Sequence, residues 1–365
     1  MDNPPKILVI GSAGVLGKLI CKRVIQVFGK DALVIADYLP KRLIKLRLAL
    51  NLPKTQQKLI HTAKAEDIRT HITEMQLVIV AFQQEYPLVQ KICIEEKVSC
   101  VDVSIKLDFI EEALRLQQDA QEAGVTCLLT AGLFPGLSGL MVKKSILHFD
   151  TPHSVDVGLC RPANRISGKM GLADLLELLS QPVLFRSNGS SRVVQGFSMK
   201  RTIPYLAPIG KKKHRLINAA ETEILTNKLN IPKLNFWTGF DRKGFDKFVS
   251  VLRNIRILNI FRNGKYRKSL GQFFSKERGQ DHPAGLTVVS RGYSKGQKIE
   301  AYLSLIAASD YLGTAACAVS FAKTLLENDA LPKGIYFPFE LFELQDVLKD
   351  IDDVVKGYEF NQMMI

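Results

Sequence analysis

Residues 6–17 read KILVIGSAGVLG, in which an apolar run is followed at once by three glycines at three-residue spacing. The apolar run predicts a buried strand, and the apolar positions from Leu19 to Phe28 recur at the spacing of a helix. A second apolar run, residues 32–36, ends at Asp37, twenty residues after the last of these glycines. Strand, glycine turn, helix, strand and acid in this order predict a dinucleotide-binding unit.

Each glycine has a separate physical task in such a unit. Gly11 permits the tight turn, Gly14 lets the backbone approach a pyrophosphate, and Gly17 lets the helix pack closely on the strand. The N–H groups at the helix start then face the phosphates, where the helix dipole favours negative charge. We therefore expect the cofactor to be bound by Gly11, Ser12, Ala13, Gly14, Val15, Leu16, Gly17, Asp37, Arg42, Phe82 and Gln83.

The identity of the cofactor depends on the residues at the end of the second strand and beyond it. Asp37 favours NAD, because a carboxylate there accepts hydrogen bonds from the ribose hydroxyls and repels a 2′-phosphate. Lys41 and Arg42 favour NADP, because a cation can neutralise that phosphate. The sequence leaves NAD and NADP open and slightly favours NAD.

The alternation of patterns along the chain predicts an α/β protein with two domains and a C-terminal extension. Further apolar runs lie at residues 77–82, 99–103 and 125–130. Helical stretches separate them, which predicts a doubly wound parallel Rossmann sheet over residues 1–135. Strand-like pieces then predict an α+β domain for substrate binding and dimerisation over residues 136–310. Residues 311–365 are expected to form helices that pack back on the Rossmann domain, the last of them over residues 340–355.

Composition excludes several classes of protein. The chain has 365 residues, of which 46% are hydrophobic and 24% charged, which excludes disordered and collagen-like chains. No apolar run approaches the roughly 18 residues of a membrane-spanning helix, and the first residues lack the pattern of a secretory signal, so a cytoplasmic location is expected. The six cysteines show neither disulfide nor metal-ligand spacing, so we expect buried thiols and no metal site.

The net charge of +14 is concentrated in one stretch of the chain. Residues 242–278 carry 11 basic residues against two acidic ones, Asp246 and Glu277, and an apolar stripe at helical spacing runs through them. The stripe is typical of a helix that lies on an anionic membrane or meets an acidic carrier protein. A helix that covers the core with a solvated basic face is the plainer alternative. Because the basic residues are not spread along the chain, no nucleic-acid partner is expected.

Reacting groups are expected at the carboxyl ends of the parallel strands. Asp102 and Ser104 alternate at one strand end and therefore point the same way. Asp102 is the first choice for the catalytic acid or base, with a structural carboxylate as the alternative. Tyr86 is the second catalytic choice, or else a packing residue. Gln83 and Gln84 are expected to contact the nicotinamide part of the cofactor or to lie in an exposed loop.

Four stretches resemble the saccharopine dehydrogenase-like family. They are the glycine turn at residues 11–17, CVDVS at residues 100–104, GLFPG at residues 132–136 and GIYFPFE at residues 334–340. The resemblance extends over essentially the whole chain. It implies a Rossmann domain, a nicotinamide cofactor, a homodimer, and the oxidation of a secondary amine or the reduction of the corresponding imine.

Two departures from the family pattern concern the substrate. Phe134 stands where amino-acid-handling members carry an acid that can meet a substrate ammonium group. Arg161 stands where a small residue is common, and a guanidinium group can hold a carboxylate bidentately. Substrate contacts are therefore expected from Ser104, Phe134 and Arg161.

The leading functional hypothesis is an NAD(P)-dependent oxidoreductase that acts on a C=N or C=O bond of a small or moderately lipophilic metabolite. Two alternatives stay open at this point. One is a reductase of a lipid, acyl or polyketide chain on a carrier or membrane, and the other is a non-catalytic, nucleotide-sensing interaction protein.

Overall fold

The computed structural model describes residues 4–162, 181–187, 190–241 and 283–364, which form two compact units. The first unit comprises Met1–Leu140 and Tyr311–Asp352, and the second comprises Met141–Asp310 and Asp353–Ile365. Each unit contains one seven-stranded sheet.

The sheet of the first unit is parallel throughout. With strands numbered along the chain, it contains β1 Ile7–Ile10, β2 Leu33–Asp37, β3 Gln57–Leu59, β4 Leu77–Val80, β5 Ser99–Asp102, β6 Thr126–Leu128 and β15 Gly334–Tyr336. Their order is β15-β6-β5-β4-β1-β2-β3. The strand order reverses between β1 and β4, and ligands of such sheets bind in the crevice at the carboxyl ends of those two strands.

Helices connect these strands and cover the sheet, which explains why β1 and β4 are buried along their whole length. They are α1 Val15–Phe28, α2 Pro40–Ala49, α3 Ala65–Ile72, α4 Leu88–Glu95, α5 Leu107–Leu114, α6 Gln117–Ala123 and α7 Leu137–Ile146, with 3-10 turns at Lys30–Ala32 and Lys54–Gln56. Helix α1 forms because its buried positions, Gly17, Ile20, Cys21 and Val24, recur on one face.

The C-terminal part of the first unit begins with the helix Asp310–Glu327 and continues through β15 to the short helices Pro338–Leu341 and Leu344–Asp350. Strand β15 extends the parallel sheet beside β6. The Leu133 N–H donates to Thr314 Oγ1 (3.3 Å), and Arg23 Nη2 donates to the Asp350 carbonyl (2.6 Å). These contacts tie the two sequence segments of the first unit together.

The second unit has a mixed sheet in the order β10-β11-β12-β7-β13-β14-β16 and a separate hairpin, β8-β9. Its strands are β7 Thr151–Arg161, β8 Pro182–Ser187, β9 Ser190–Gln195, β10 Lys200–Ile203, β11 Lys212–Ile217, β12 Leu234–Phe240, β13 Ala284–Ser294, β14 Gln297–Ala307 and β16 Val355–Met364. A helix, Glu221–Lys228, joins β11 to β12. Tyr205, Ile203 and Trp237 belong to an apolar cluster that also includes residues of the β8-β9 hairpin.

The predicted fold class is confirmed: a parallel Rossmann sheet is followed by a unit with a mixed sheet. The C-terminal prediction needs correction, because residues 340–355 form two short helices with an interruption and Val355–Met364 is a strand of the second unit. This strand pairs with β14 and is largely exposed. Few of its side chains are buried, so its sequence lacks the alternation that identifies a half-buried strand.

Three other predictions concern burial, membranes and partners. All six cysteines are buried, as predicted. No helix of the described residues has both the length and the apolar character needed to cross a membrane. The basic stretch 242–278 lies outside the described residues, so its membrane or carrier partner stays a prediction, as does the homodimer.

Candidate functional site

The glycine turn joins the end of β1 to the end of β2. Gly11 has a φ of 81°, and its N–H donates to the Ala36 carbonyl (2.9 Å). The N–H and the Oγ of Ser12 donate to the same carbonyl, each at 3.0 Å. The predicted cofactor residue Ser12 therefore uses its hydroxyl group to brace the turn against β2.

The space available for a side chain differs between Gly14 and Gly17. A Cβ atom on Gly17 would lie 2.1 Å from the Gly11 carbonyl oxygen, so the contact between helix and turn excludes a side chain there. Among the described residues, a Cβ atom on Gly14 would meet only the same oxygen, at a tight 3.2 Å, and the φ of Gly14 is an ordinary −69°. The fold thus excludes a side chain at Gly17 and restricts one at Gly14 much less.

The start of α1 presents hydrogen-bond donors beside this turn. Gly14 is the N-cap residue, and no side chain in the described part of the chain caps the helix. The N–H groups of Val15, Leu16 and Gly17 have no acceptor within the helix, because they belong to its first turn. The Val15 side chain is 49% exposed. Free donors, the positive end of the helix dipole and the bare backbone at Gly14 fit a pyrophosphate.

Asp37 holds the glycine turn from behind. Its Oδ2 accepts from the Ala13 N–H (3.2 Å), its Oδ1 accepts from the Leu39 N–H (3.1 Å), and the residue is only 7% exposed. Both carboxylate oxygens therefore bind the backbone of the protein itself. This arrangement removes the main reason for favouring NAD, which was a carboxylate free to receive the ribose.

The residues that follow Asp37 form an exposed basic corner. Tyr38 is 59% exposed, and Lys41 and Arg42 are exposed in the first turn of α2, which contains no acidic residue. Two cations at the positive end of a helix are electrostatically unfavourable on their own. A bound phosphate group would offset this repulsion.

Asp102 lies at the end of β5 and is 0% exposed. Its Oδ2 accepts from the side-chain amides of Gln84 (3.0 Å) and Gln90 (2.7 Å), and its Oδ1 accepts from the Ser104 N–H (2.5 Å). Gln84 Nε2 also donates to Gln90 Oε1 (3.0 Å). The carboxylate thus ties together the segments that follow β4 and β5. This geometry favours the structural alternative for Asp102, and its role in proton transfer stays a prediction.

Burial raises the pKa of Asp102 to about 6, although the hydrogen bonds from Ser104, Gln90 and Gln84 oppose that shift. Desolvation dominates because the donors around this carboxylate are neutral, and neutral donors compensate a buried negative charge less than cations do. Asp102 therefore titrates close to neutral pH.

The other predicted residues of this region differ in accessibility. Gln83 Oε1 accepts from the Ile105 N–H (2.9 Å), so its side chain positions the segment after β5. Ser104 is buried, and its Oγ lies 3.4 Å from the Phe82 carbonyl. Phe82 packs against Gly11. Tyr86 is 53% exposed and is the accessible member of the two predicted catalytic residues.

A tight turn follows β6 at the same end of the sheet. Thr130 has a φ of 56°, which is a strained value for a β-branched residue, and its buried Oγ1 has no hydrogen-bond partner among the described residues. Gly136 has a φ of 122°, and a Cβ atom there would lie 2.3 Å from the Gly132 carbonyl oxygen. Phe134 is half-buried in this turn.

Arg161 belongs to the second unit, at the end of β7. Its Nε lies 3.9 Å from Asp310 Oδ2 and has no hydrogen-bond partner among the residues that the structure describes. Its predicted contact with a substrate carboxylate stays a prediction.

Sequence reasoning missed three features of the first unit. Gln90 lies on α4 and completes the amide cage around Asp102, but a glutamine in a helix carries no signal of its own. The strain at Thr130 has no sequence signature, because β-branched residues rarely adopt positive φ. Tyr38 could have been found, since it directly follows Asp37, the residue that the sequence pattern assigns to the ribose.

Comparison with known proteins gives one family and several structures of similar fold. Residues 7–128, about a third of the chain, match the family described as saccharopine dehydrogenase NADP binding domain. A comparison with curated proteins gave no match.

The structural similarity extends over nearly the whole chain. Apo saccharopine dehydrogenase (L-Glu forming) from Saccharomyces cerevisiae is 13% identical, with a TM-score of 0.69 over 99% of this chain and 100% of that one. The DAP dehydrogenase of C. glutamicum in complex with DAP is 13% identical, with a TM-score of 0.52 over 96% of this chain and 99% of that one. At these identities the likeness concerns the fold.

The glycine turn, the strand order and the family match over residues 7–128 agree with one another. They show that residues 7–128 form a domain of the saccharopine dehydrogenase NADP-binding type, and that the chain as a whole has the fold of the saccharopine dehydrogenase from Saccharomyces cerevisiae.

Proposed function

We propose that the protein is an NADP(H)-dependent dehydrogenase that interconverts an amine and an imine, or an alcohol and a carbonyl group, on a small or moderately lipophilic metabolite. The observation that carries the proposal is the contrast between Gly17 and Gly14. A Cβ atom at Gly14 would meet a single backbone oxygen at 3.2 Å, a contact far less restrictive than the 2.1 Å contact at Gly17, and a bound pyrophosphate supplies a further reason for glycine at position 14.

The preference for NADP over NAD rests on the basic corner formed by Tyr38, Lys41 and Arg42. Its cations are exposed at a helix start, while Asp37 is turned inward to the backbone of Ala13 and Leu39. A 2′-phosphate would therefore meet a guanidinium and an ammonium group in place of a free carboxylate. The family that matches residues 7–128 is named for NADP, which agrees with this preference.

The nicotinamide of the bound cofactor supplies the hydride chemistry, and the chain supplies binding and orientation. The first turn of α1 binds the pyrophosphate. Asp37 keeps the glycine turn in place through Ala13, and Phe82 forms the wall against Gly11. Asp102 acts as a positioning residue, because it fixes the segments that carry Tyr86 and Ser104 without being accessible itself.

Tyr86 is the proposed proton donor or acceptor, since its side chain is exposed in the segment between β4 and α4. The two similar structures described above are named for substrates that carry amino groups, which favours an amine or imine carbon as the reacting centre. Phe134 favours an apolar group beside that carbon, because the half-buried ring offers no charge.

The test is calorimetric titration of the cofactor-free protein with NADPH and with NADH. We expect NADPH to bind more tightly than NADH, and a Gly14→Ala variant to bind NADPH more weakly while it loses less than about 1 kcal/mol of stability. A Gly14→Val variant should lose NADPH binding. Failure of both cofactors to bind the wild-type protein would reject the proposed function.

A second measurement addresses the bond that reacts. NADPH consumption would be followed with 2-oxo acids plus amino acids, and separately with apolar ketones and aldehydes. Turnover with the first set that requires the amino acid indicates imine reduction. Turnover with the 2-oxo acid alone, or with the second set alone, indicates carbonyl reduction. A Tyr86→Phe variant should lose turnover and keep NADPH affinity; unchanged turnover would reject the role of Tyr86.

A further inference from the structure

Five basic side chains gather at one end of the sheet in the second unit. They are His153, Arg201, Lys233, Arg291 and Lys298, and they line a cavity of about 280 Å³. Four of them lie at or beside the starts of β7, β10, β12 and β14, and Arg291 lies near the end of β13. Because β13 runs antiparallel to β7 and β14, its end meets their starts. We call this cavity the cationic pocket.

A buried carboxylate fixes the two arginines of the pocket. Asp156 is 1% exposed, and its Oδ2 accepts from Arg201 Nη2 and Arg291 Nη1, each at 2.8 Å. Its Oδ1 accepts from the indole N–H of Trp237 (2.8 Å). Glu300 forms an ion pair with Nε of Arg291. The guanidinium groups are therefore held in place before any ligand arrives.

The charges around the pocket do not cancel. Asp156 and Glu300 balance the two arginines, whereas within the described part of the chain no carboxylate pairs with Lys233 or Lys298. Burial and the neighbouring Arg291 lower the pKa of Arg201, although Asp156 opposes that shift. Two positive charges thus remain in excess beside partly desolvated guanidinium groups, and a bound anion would stabilise this arrangement.

The cationic pocket is separate from the residues assigned to the proposed reaction. His153 lies near the start of β7. Arg161, the predicted substrate residue of this unit, is the last residue of the same strand. Eight residues of extended strand separate them, which corresponds to roughly 26 Å. No residue of the proposed dinucleotide site lines the pocket.

We propose that the cationic pocket binds a small multivalent anion, a metabolite with a phosphate, a diphosphate or neighbouring carboxylate groups. Each guanidinium group retains N–H donors beyond those that face Asp156 and Glu300, and the two lysines add ammonium donors. Clustered anionic oxygens are the chemistry that such a set recognises. The volume is just below the usual range for small-molecule sites, so it fits a compact ligand.

The experiment is calorimetric titration of the full chain at low ionic strength with two probes, pyrophosphate and citrate. We expect one-to-one binding of at least one probe, and the tighter probe indicates whether the natural ligand carries phosphate or carboxylate groups. In a Lys233→Gln, Lys298→Gln double variant, affinity should fall by about tenfold per lysine removed. Absence of binding by both probes would overturn the proposal.

Two control variants separate the pocket from other effects of charge. A Lys213→Gln, Lys295→Gln variant removes the same charge from exposed positions outside the pocket and should bind within about twofold of the wild-type protein. An equal loss in both double variants would reject a defined site. Gly14→Val should keep the affinity of the pocket, whereas an anion held at the glycine turn would lose affinity in that variant.

Discussion

The glycine turn of the first unit and the cationic pocket of the second are both suited to anions, but they are built from different parts of the chain. The turn uses backbone N–H groups at a helix start, and the pocket uses side-chain cations from separate strands. In each case a buried carboxylate stands behind the donors, Asp37 in the first and Asp156 in the second. In both places the carboxylate positions the donors, and the donors, not the carboxylate, are the groups that would contact an anion.

The largest effect is expected from removing the carboxylate of the pocket. Asp156→Ala leaves two guanidinium groups and an indole N–H without their acceptor, so the free energy of unfolding should fall by about 3 to 5 kcal/mol. Asp329→Ala, at an exposed position, should change it by less than about 0.5 kcal/mol. Urea denaturation of both variants checks this. A small effect of Asp156→Ala would mean that Asp156 does not hold Arg201 and Arg291 in place.

A second comparison sets two glycines of the turn against each other. Gly17→Ala should lower the free energy of unfolding by about 3 kcal/mol, because its Cβ would meet backbone at 2.1 Å. Gly14→Ala should lower it by less than about 1 kcal/mol and should act mainly on NADPH affinity. Denaturation and calorimetry of the two variants separate these effects. Equal stabilities would contradict the division between fold and ligand.

Asp102 tests how a buried carboxylate behaves when its partners are neutral. Its pKa is raised from 3.8 to about 6, so the folded protein binds a proton more tightly than the unfolded chain does. This group therefore lowers stability as the pH rises from about 4 through 6. Asp102→Asn should remove that loss, and the variant should gain roughly 2 to 3 kcal/mol relative to the wild-type protein between pH 4 and 7. A difference in the free energy of unfolding that stays constant across this pH range would show that the pKa of Asp102 is not raised.

The smallest effect concerns the basic corner beside the glycine turn. Arg42→Gln should weaken NADPH binding about tenfold, near 1.4 kcal/mol, and leave NADH binding unchanged. Lys45→Gln, a matched loss of charge in the second turn of the same helix, should change NADPH affinity by less than about twofold. If Arg42→Gln weakens the binding of NADPH and of NADH equally, the basic corner attracts the dinucleotide without distinguishing the 2′-phosphate.

The sequence predicts the part of the site that is formed by the backbone of consecutive residues. The glycine turn, α1 and the end of β2 occupy consecutive residues, and their φ and contact requirements appear directly as residue types. Gln83, Ser104 and Asp102 were placed at the right strand ends, but their burial and hydrogen bonds were not foreseen. A side chain at a strand end points to the site or away from it according to its neighbours, which lie far apart in sequence.

Residues 6–37 are enough to indicate an NAD(P)-binding Rossmann unit, because strand, turn and helix are encoded by spacing within one short segment. Only the tertiary structure turned Asp37 and Asp102 inward, added β16 to the second sheet and brought Arg201, Lys233 and Lys298 to one cavity. These features depend on which distant strands lie side by side, and strand pairing in a mixed sheet is not written in the periodicity of any one strand.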